Sequence, residues 1–374
     1  MVLPTETRGA SLLIDLDAIA ANYRLLQREA AGVEVAAVVK ADAYGLGMAE
    51  VAPVLSEAGC RTFFTATLEE GFALRDLLPD VGIHVFNGPV PEVVEEMIRH
   101  HVTPVLNSID QSEMWAGQMA RFRDPNQLAP LADLHIDTGM CRLGLTLEEV
   151  DALAENAALT NMLRLDVVLS HLACAHDPAH EMNAFQQTAF ETKAHKFSAK
   201  RKSLAASAGL FLGNQYHFDL VRPGIAIYGG NPQPGHTNPM SQVIRIQGKI
   251  LQVRHVDTPQ SVGYGGTYMV DGPTQIATVA LGYADGYLRS FSNSGRAWIG
   301  GHEVKVAGRV SMDLTTLDVT GVPPHFVFPG AMVDFIGPEQ SIDQMAEDAG
   351  TIDYEVLTRL GIRFGRHYSR GAPA

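Results

Sequence analysis

Cysteine is scarce in this chain, with three residues among 374: Cys60, Cys141 and Cys174. A sparse, odd set gives no disulfide framework and fits a reducing compartment, so a cytoplasmic location is expected. Basic charge is also short, 28 Lys and Arg against 42 Asp and Glu for a net charge of −14. Phosphate backbones attract basic stripes, and without one nucleic acid is not the expected partner. No apolar run approaches the roughly 18 residues a membrane helix requires, so no membrane association is expected. The opening MVLPTETRGA has no basic stretch followed by an apolar one, and so carries no signal-peptide pattern. The dinucleotide fingerprint G-x-G-x-x-G is missing after the first strand pattern, which weakens a Rossmann reading.

What the sequence does hold is length and alternation. At roughly 150 residues per domain, 374 residues suggest two or three domains. Short β-rich runs occur at 33–39, 62–66, 83–87, 102–106, 131–136 and 163–170, with weaker ones near 202–206 and 217–222. Helical patterns separate most of them, at 47–58, 68–78, 91–100, 108–121, 146–158 and 181–200. Eight βα units in about 200 residues suit a (β/α)8 TIM-type barrel. The tract NPQPGHTNPM (231–240) reads as a junction, and beyond it short β-branched segments alternate with glycine turns. The expected class is α/β, with a barrel domain over 1–235 and a mainly antiparallel β domain over 236–374.

Barrel enzymes place chemistry at the C-terminal ends of the strands. Lys40, Arg142, His171, Ser207 and Arg222 fall there. A lysine ending the apolar run V-V-K is desolvated, which lowers its pKa toward the state that condenses with an aldehyde. A satisfied strand-end lysine fits the position as well, and both readings stay open on position alone. The segments AASAG (205–209) and RPGIAIYG (222–229) follow strands seven and eight, where barrels often bind phosphate through loop amides.

These residues carry a resemblance. VVKADAYGLG (38–47) resembles the pyridoxal-phosphate attachment motif of the alanine racemase family. DTGMCRLG (137–144), SHLA (170–173), VRPGIAIYG (221–229), VGYGGTY (262–268), GYADGY (282–287), GRVSMD (308–313) and YEV (354–356) resemble later family motifs in the same order. The likeness spans nearly the whole chain and implies a barrel, a β domain, and a homodimer whose active sites draw on both subunits. By that resemblance Lys40 holds pyridoxal 5'-phosphate and acts as base on one face of the substrate α-carbon. Tyr264, from the partner subunit, is the base on the other face. A free tyrosine titrates near 10, so a tyrosine base needs cationic help, and Arg142 and His171 match the residues that organise that side. Arg222 matches the arginine at the pyridine nitrogen, where a guanidinium donates a hydrogen bond but hardly gives up a proton. Tyr44, Ser207, the amides of Gly224 and Ile225, and Tyr354 match the phosphate cradle. Met312 and Asp313 match the substrate-carboxylate region, and Tyr283 with Tyr354 the narrow entrance that favours alanine.

Two positions depart from the family pattern. His135 stands where a lysine, often carbamylated, supplies a negative charge beside the arginine matching Arg142; chloride or another residue is expected to take over. Ala206 stands where an asparagine often lies beside the phosphate, so weaker cofactor retention is expected. His171, His176, Asp177, His180 and Glu181 could suggest a metal, but the segment crosses a strand end and Pro178, and no metal is expected. Cys141 and Cys174 flank the proposed site without an assigned base. A pyridoxal-phosphate carrier would be a single barrel lacking the segment that supplies Tyr264, whereas a serine, lysine or broad-specificity racemase of the same fold would keep it. The sequence does not separate D-alanine supply for peptidoglycan from D-alanine catabolism.

Overall fold

A computed structural model describes residues 8–122 and 129–371. Contacts divide the chain into two units. One holds Ile19–Met240; the other joins the described residues up to Ala18 to those from Ser241 onward. The chain opens with β1 (Ala10–Asp15) and a helix at Leu16–Glu29, neither of which the sequence patterns had suggested. The parallel strands follow as β2 (Glu34–Val35), β3 (Ala37–Val38), β4 (Thr62–Thr65), β5 (Gly82–Val85), β6 (Val102–Leu106), β7 (Ala132–His135), β8 (Leu165–Leu169), β9 (Ala199–Ser203) and β10 (Leu220–Val221). The second unit continues with β11 (Ile244–Val256), β12 (Gln260–Val262), β13 (Tyr268–Val270), β14 (Thr274–Val279), β15 (Arg296–Ile299), β16 (His302–Val306), β17 (Thr315–Asp318), β18 (Met332–Ile336) and β19 (Gly365–Ser369).

In the first unit β3 through β9 form a parallel ladder in chain order. β10 pairs in parallel with β2, Leu220 opposite Glu34, and a bridge joins Ala206 to Arg222, so the strands turn back on themselves as a TIM-type barrel does. Every residue of β4, β6 and β8 is buried, as expected of strands covered by helices outside and side chains inside. The intervening helices match the 3.6-residue patterns closely: Met48–Glu57, Leu68–Leu77 and Ile109–Phe122. Thr67 and Thr146 each form a capping box with a glutamate three residues on, which fixes where the helices at Leu68 and Leu147 begin.

The seventh barrel strand lies at 199–203 rather than near 202–206, and the helix before it ends at Ala194. Its sequence AKRKS hides the strand because the charges suggest a solvated helix. Arg201 instead donates to Glu34 Oε2 (2.7 Å) on β2 and Asp166 Oδ2 (2.6 Å) on the adjacent β8.

In the second unit eight strands run β14-β17-β16-β15-β18-β11-β1-β19, and β11 also pairs with β14, which closes a largely antiparallel barrel. β11 alternates buried and half-buried residues over its first seven positions, the period of a strand with one face on a core. β1 enters this sheet antiparallel to β11 and parallel to β19. Two helices, Ile342–Ala349 and Asp353–Thr358, complete the unit. Among the described residues no helix is long and apolar enough to cross a membrane.

Candidate active site

Lys40 leaves β3 on an anchored strand end, where the amide of Val39 donates to Phe64 O (2.9 Å). Burial and the guanidinium of Arg142 lower the Lys40 pKa, partly offset by Glu70. Its Nζ lies 5.7 Å from the centre of the Phe86 ring. The backbone then makes a left-handed turn, with φ of 53, 54, 53 and 57° at Ala41, Asp42, Ala43 and Tyr44. Outside glycine that conformation costs roughly 1–2 kcal/mol per residue, so the turn must be held from outside. Glu70 Oε1 accepts from the Ala41 amide at 2.6 Å, and Asp42 Oδ1 accepts from the Met48 amide at 2.7 Å. Glu70 also accepts from the amides of Ala66 and Thr67, so one carboxylate ties the lysine turn to the next strand exit. A-D-A-Y carries no glycine to mark such a turn, and neither the turn nor Glu70 was legible in the sequence.

Arg222 follows β10 and is buried. It donates to Ser170 O (2.6 Å) and to Ser203 Oγ, and its Cζ lies 5.9 Å from the Phe64 ring centre. Burial lowers its pKa to about 10, opposed by the charge of Asp133, so the group stays a cation at neutral pH. Two imidazoles belong to the same strand ends. Loss of water and the charges of Arg222, Arg142 and Lys40 push His171 down to about 3. Burial, Arg222 and Arg142 push His135 down to about 4, against the opposing pull of Asp137. The rim thus gathers cations and keeps its histidines neutral, a setting for holding anionic groups and for an amine that is readily deprotonated.

Ser207 opens the short helix Ser207–Leu210, and its Oγ accepts from the amides of Gly224 (2.9 Å) and Ala226 (3.3 Å). Tyr44 is buried, its ring 4.7 Å from that of Tyr228. A Cβ on Gly224 would collide with the Tyr44 hydroxyl, so the close approach of these two segments requires glycine there. Ile225 begins a 3-10 turn, Ile225–Tyr228, right after that glycine. Ala206 occupies the N-cap position of the Ser207 helix and offers no side-chain cap.

The second unit presents a different set. Tyr264 opens a 3-10 turn between Gly263 (φ 75°) and Gly265 (φ 74°) and is 70% exposed. Tyr283, Met312 and Asp313 meet in one knot, since the amides of Tyr283 and Ala284 donate to Ser311 O (3.0 Å) and Met312 O (2.9 Å). Arg363 pairs with Asp313 at 2.7 Å and with Asp285 at 2.9 Å. Tyr354 lies on the helix Asp353–Thr358 and is exposed.

Of the histidines near 176–180, His180 serves the backbone: its Nδ1 accepts from the Met182 amide (3.1 Å) at the start of the helix Glu181–Ala194. Among the described residues, His84, Asp133 and Asp166 converge closely enough to share an ion. They already satisfy one another, with His84 Nδ1 2.6 Å from Asp133 and Arg201 2.6 Å from Asp166.

Two family models match the chain, the alanine racemase N-terminal domain over residues 14–232 and the alanine racemase C-terminal domain over 243–368. The chain belongs to the alanine racemase family. It is 50% identical to the alanine racemase of Rhodospirillum rubrum over 370 residues, 97% of each chain. A catabolic alanine racemase of Agrobacterium fabrum is 45% identical, covering 96% of this chain and 92% of that protein. The structure of alanine racemase from Bartonella henselae, with covalently bound pyridoxal phosphate, superposes with a TM-score of 0.91 at 38% identity, covering 96% and 99% of the two chains. The biosynthetic alanine racemase of Pseudomonas aeruginosa gives 0.89 at 31%, covering 97% and 100%. Family membership makes this chain an amino-acid racemase.

Proposed function

We propose that this racemase interconverts L- and D-alanine with pyridoxal 5'-phosphate held at Lys40, as a homodimer in which Tyr264 reaches the partner's site. The observation that carries the reading is Lys40: a half-buried amine of lowered pKa at a barrel strand end, close enough to Arg142 and His171 for their charges to act on one another. The residues fit the cofactor. The Tyr44 hydroxyl lies where a Cβ on Gly224 would intrude, and Ser207 Oγ is 2.9 Å from the Gly224 amide; a phosphate would be held by these hydroxyls together with the amides of Gly224 and Ile225. Tyr354 is the further phosphate donor in this reading. When bound, pyridoxal phosphate supplies an electron sink that acidifies the substrate α-hydrogen.

The chain's own groups do the rest. Arg222 keeps its proton and offers the ring nitrogen a hydrogen bond without surrendering it, which restrains electron withdrawal and so limits side reactions. The lowered pKa of Lys40 leaves its Nζ able to take a proton from one face of the α-carbon. The Tyr264 hydroxyl returns one from the opposite face, with Arg142 and the neutral His171 arranging that side. Met312 and Asp313 receive the substrate carboxylate region, and Tyr283 with Tyr354 narrows access to small side chains.

The deciding experiment offers L-alanine, L-serine and L-lysine to purified, pyridoxal-phosphate-loaded protein and measures the opposite enantiomer. D-alanine forming far faster than the other two products supports the assignment. Comparable rates indicate a broad-specificity racemase, and no product from any of them overturns the reading.

A further inference from the structure

Asn107, at the end of β6, is buried and donates both of its amide hydrogens to backbone carbonyls, Phe86 O and Val105 O, each at 2.9 Å. Turning the amide over would press Oδ1 against two carbonyl oxygens, so its orientation is fixed. Asn107 Oδ1 is left as an acceptor, and the atom 2.9 Å from it is His135 Nδ1. Two acceptors do not bond to each other, so His135 carries its hydrogen on Nδ1. A neutral imidazole has one such hydrogen, and Nε2 is therefore a bare lone pair.

The surroundings keep the ring uncharged. Arg222, Arg142 and the neighbouring His171 oppose a positive charge on His135, and Asp137 alone favours one. Gly144, at φ +112°, backs the ring so closely that a Cβ there would stand 3.1 Å from Cγ and Cδ2. The loop that carries Arg142 closes directly onto this histidine, with the Leu145 amide donating to His135 O (2.9 Å) and the Asp137 amide to Leu145 O (2.8 Å).

We propose that His135 is a positioning residue that acts as an uncharged acceptor, its Nε2 receiving a guanidinium N–H of Arg142 and so setting that arginine over the barrel mouth. Among the described residues Arg142 makes no hydrogen bond of its own, whereas Arg222 already donates to Ser170 and Ser203. A lone pair repels an anion, so the chloride expected from the sequence finds no donor on this ring. The proposal rests on the reading that Arg142 acts on the substrate side.

Two measurements test it. Two-bond 15N correlation spectra of histidine-labelled holoenzyme report the tautomer, with His135 assigned by the signal missing from His135→Gln. The expected state is Nδ1–H and neutral from pH 8 to pH 5; an Nε2–H ring, or a charged ring at pH 7, overturns the proposal. This reading needs no turnover, so it judges His135 even if the enzyme racemises none of the amino acids tested. The second measurement compares kcat/KM for alanine in two variants checked to keep the wild-type thermal midpoint and yellow cofactor. His135→Gln retains an acceptor oxygen and stays within roughly threefold of wild type, while His135→Leu falls roughly ten- to hundredfold, the loss of one hydrogen bond to a charged group. Equal losses in both variants, or a wild-type rate that depends on chloride at fixed ionic strength, overturn it.

Discussion

The two units hold most of their candidate residues in opposite ways, although Arg142 is exposed on the barrel unit and Asp313 is ion-paired on the β unit. In the barrel unit Tyr44, His135, Ser207 and Arg222 are buried and tied to backbone or side-chain partners. In the β unit Tyr264, Met312, Tyr283 and Tyr354 are exposed, from 40% to 70%. Burial is what moves a pKa, and every large shift among the proposed cofactor-side cations and imidazoles lies on the barrel side. Groups whose protonation must be tuned in advance belong in the barrel. The three tyrosines and Met312 of the β unit keep much of their surface open to solvent.

The sharpest way to break this contrast is to remove the tuned amine. Lys40→Ala is expected to abolish both the yellow absorbance of bound cofactor and all turnover, read by absorbance and by enantiomer formation. Any residual racemisation above the free-cofactor rate would remove Lys40 from the mechanism. On the exposed side, Tyr264→Phe is expected to leave stability within about 0.5 kcal/mol of wild type, as for surface substitutions generally. It should keep the yellow cofactor and lose α-proton exchange preferentially with one enantiomer, measured by deuterium incorporation from each. Equal losses for the two enantiomers would contradict a two-face scheme.

Acid sharpens the contrast from the barrel side. His135 titrates near 6.5 when unfolded and about 4 when native, so at intermediate pH the unfolded chain binds the extra proton. Its contribution to stability is whole above pH 6.5 and falls by up to about 1.4 kcal/mol per pH unit down to about pH 4. Denaturant unfolding of wild type and His135→Gln at pH 7, 6 and 5 should show a shallower decline in the variant. Parallel declines would mean that the histidine is not held neutral.

Pattern made the barrel legible because most of its strands are short buried runs rich in apolar residues, set between helical stretches that start at capping threonines such as 67 and 146. β9 was misplaced because Lys200, Arg201 and Lys202 look solvated, while the barrel takes Arg201 into pairs with Glu34 and Asp166. β1 went unread because its partners, β11 and β19, lie hundreds of residues away, beyond any local pattern. At the candidate site the residue types at strand ends were visible. Asn107 and Glu70 were not, since a hydrogen bond across strands or to a left-handed turn leaves no spacing in the sequence.

The smallest expected effect concerns Ala206. Its backbone is bridged to Arg222 and stands at the N-cap of the Ser207 helix, but its methyl group can make no hydrogen bond to a phosphate held there. Asparagine at this position adds one donor beside Ser207. A net hydrogen bond contributes roughly 0.5–1.5 kcal/mol, and more when the acceptor is charged. Ala206→Asn should therefore slow cofactor loss on dialysis by roughly two- to tenfold, with turnover of the loaded enzyme little changed. Equal retention would mean that the buried donors of the barrel already saturate the phosphate, and that burial rather than donor count sets how firmly this side grips.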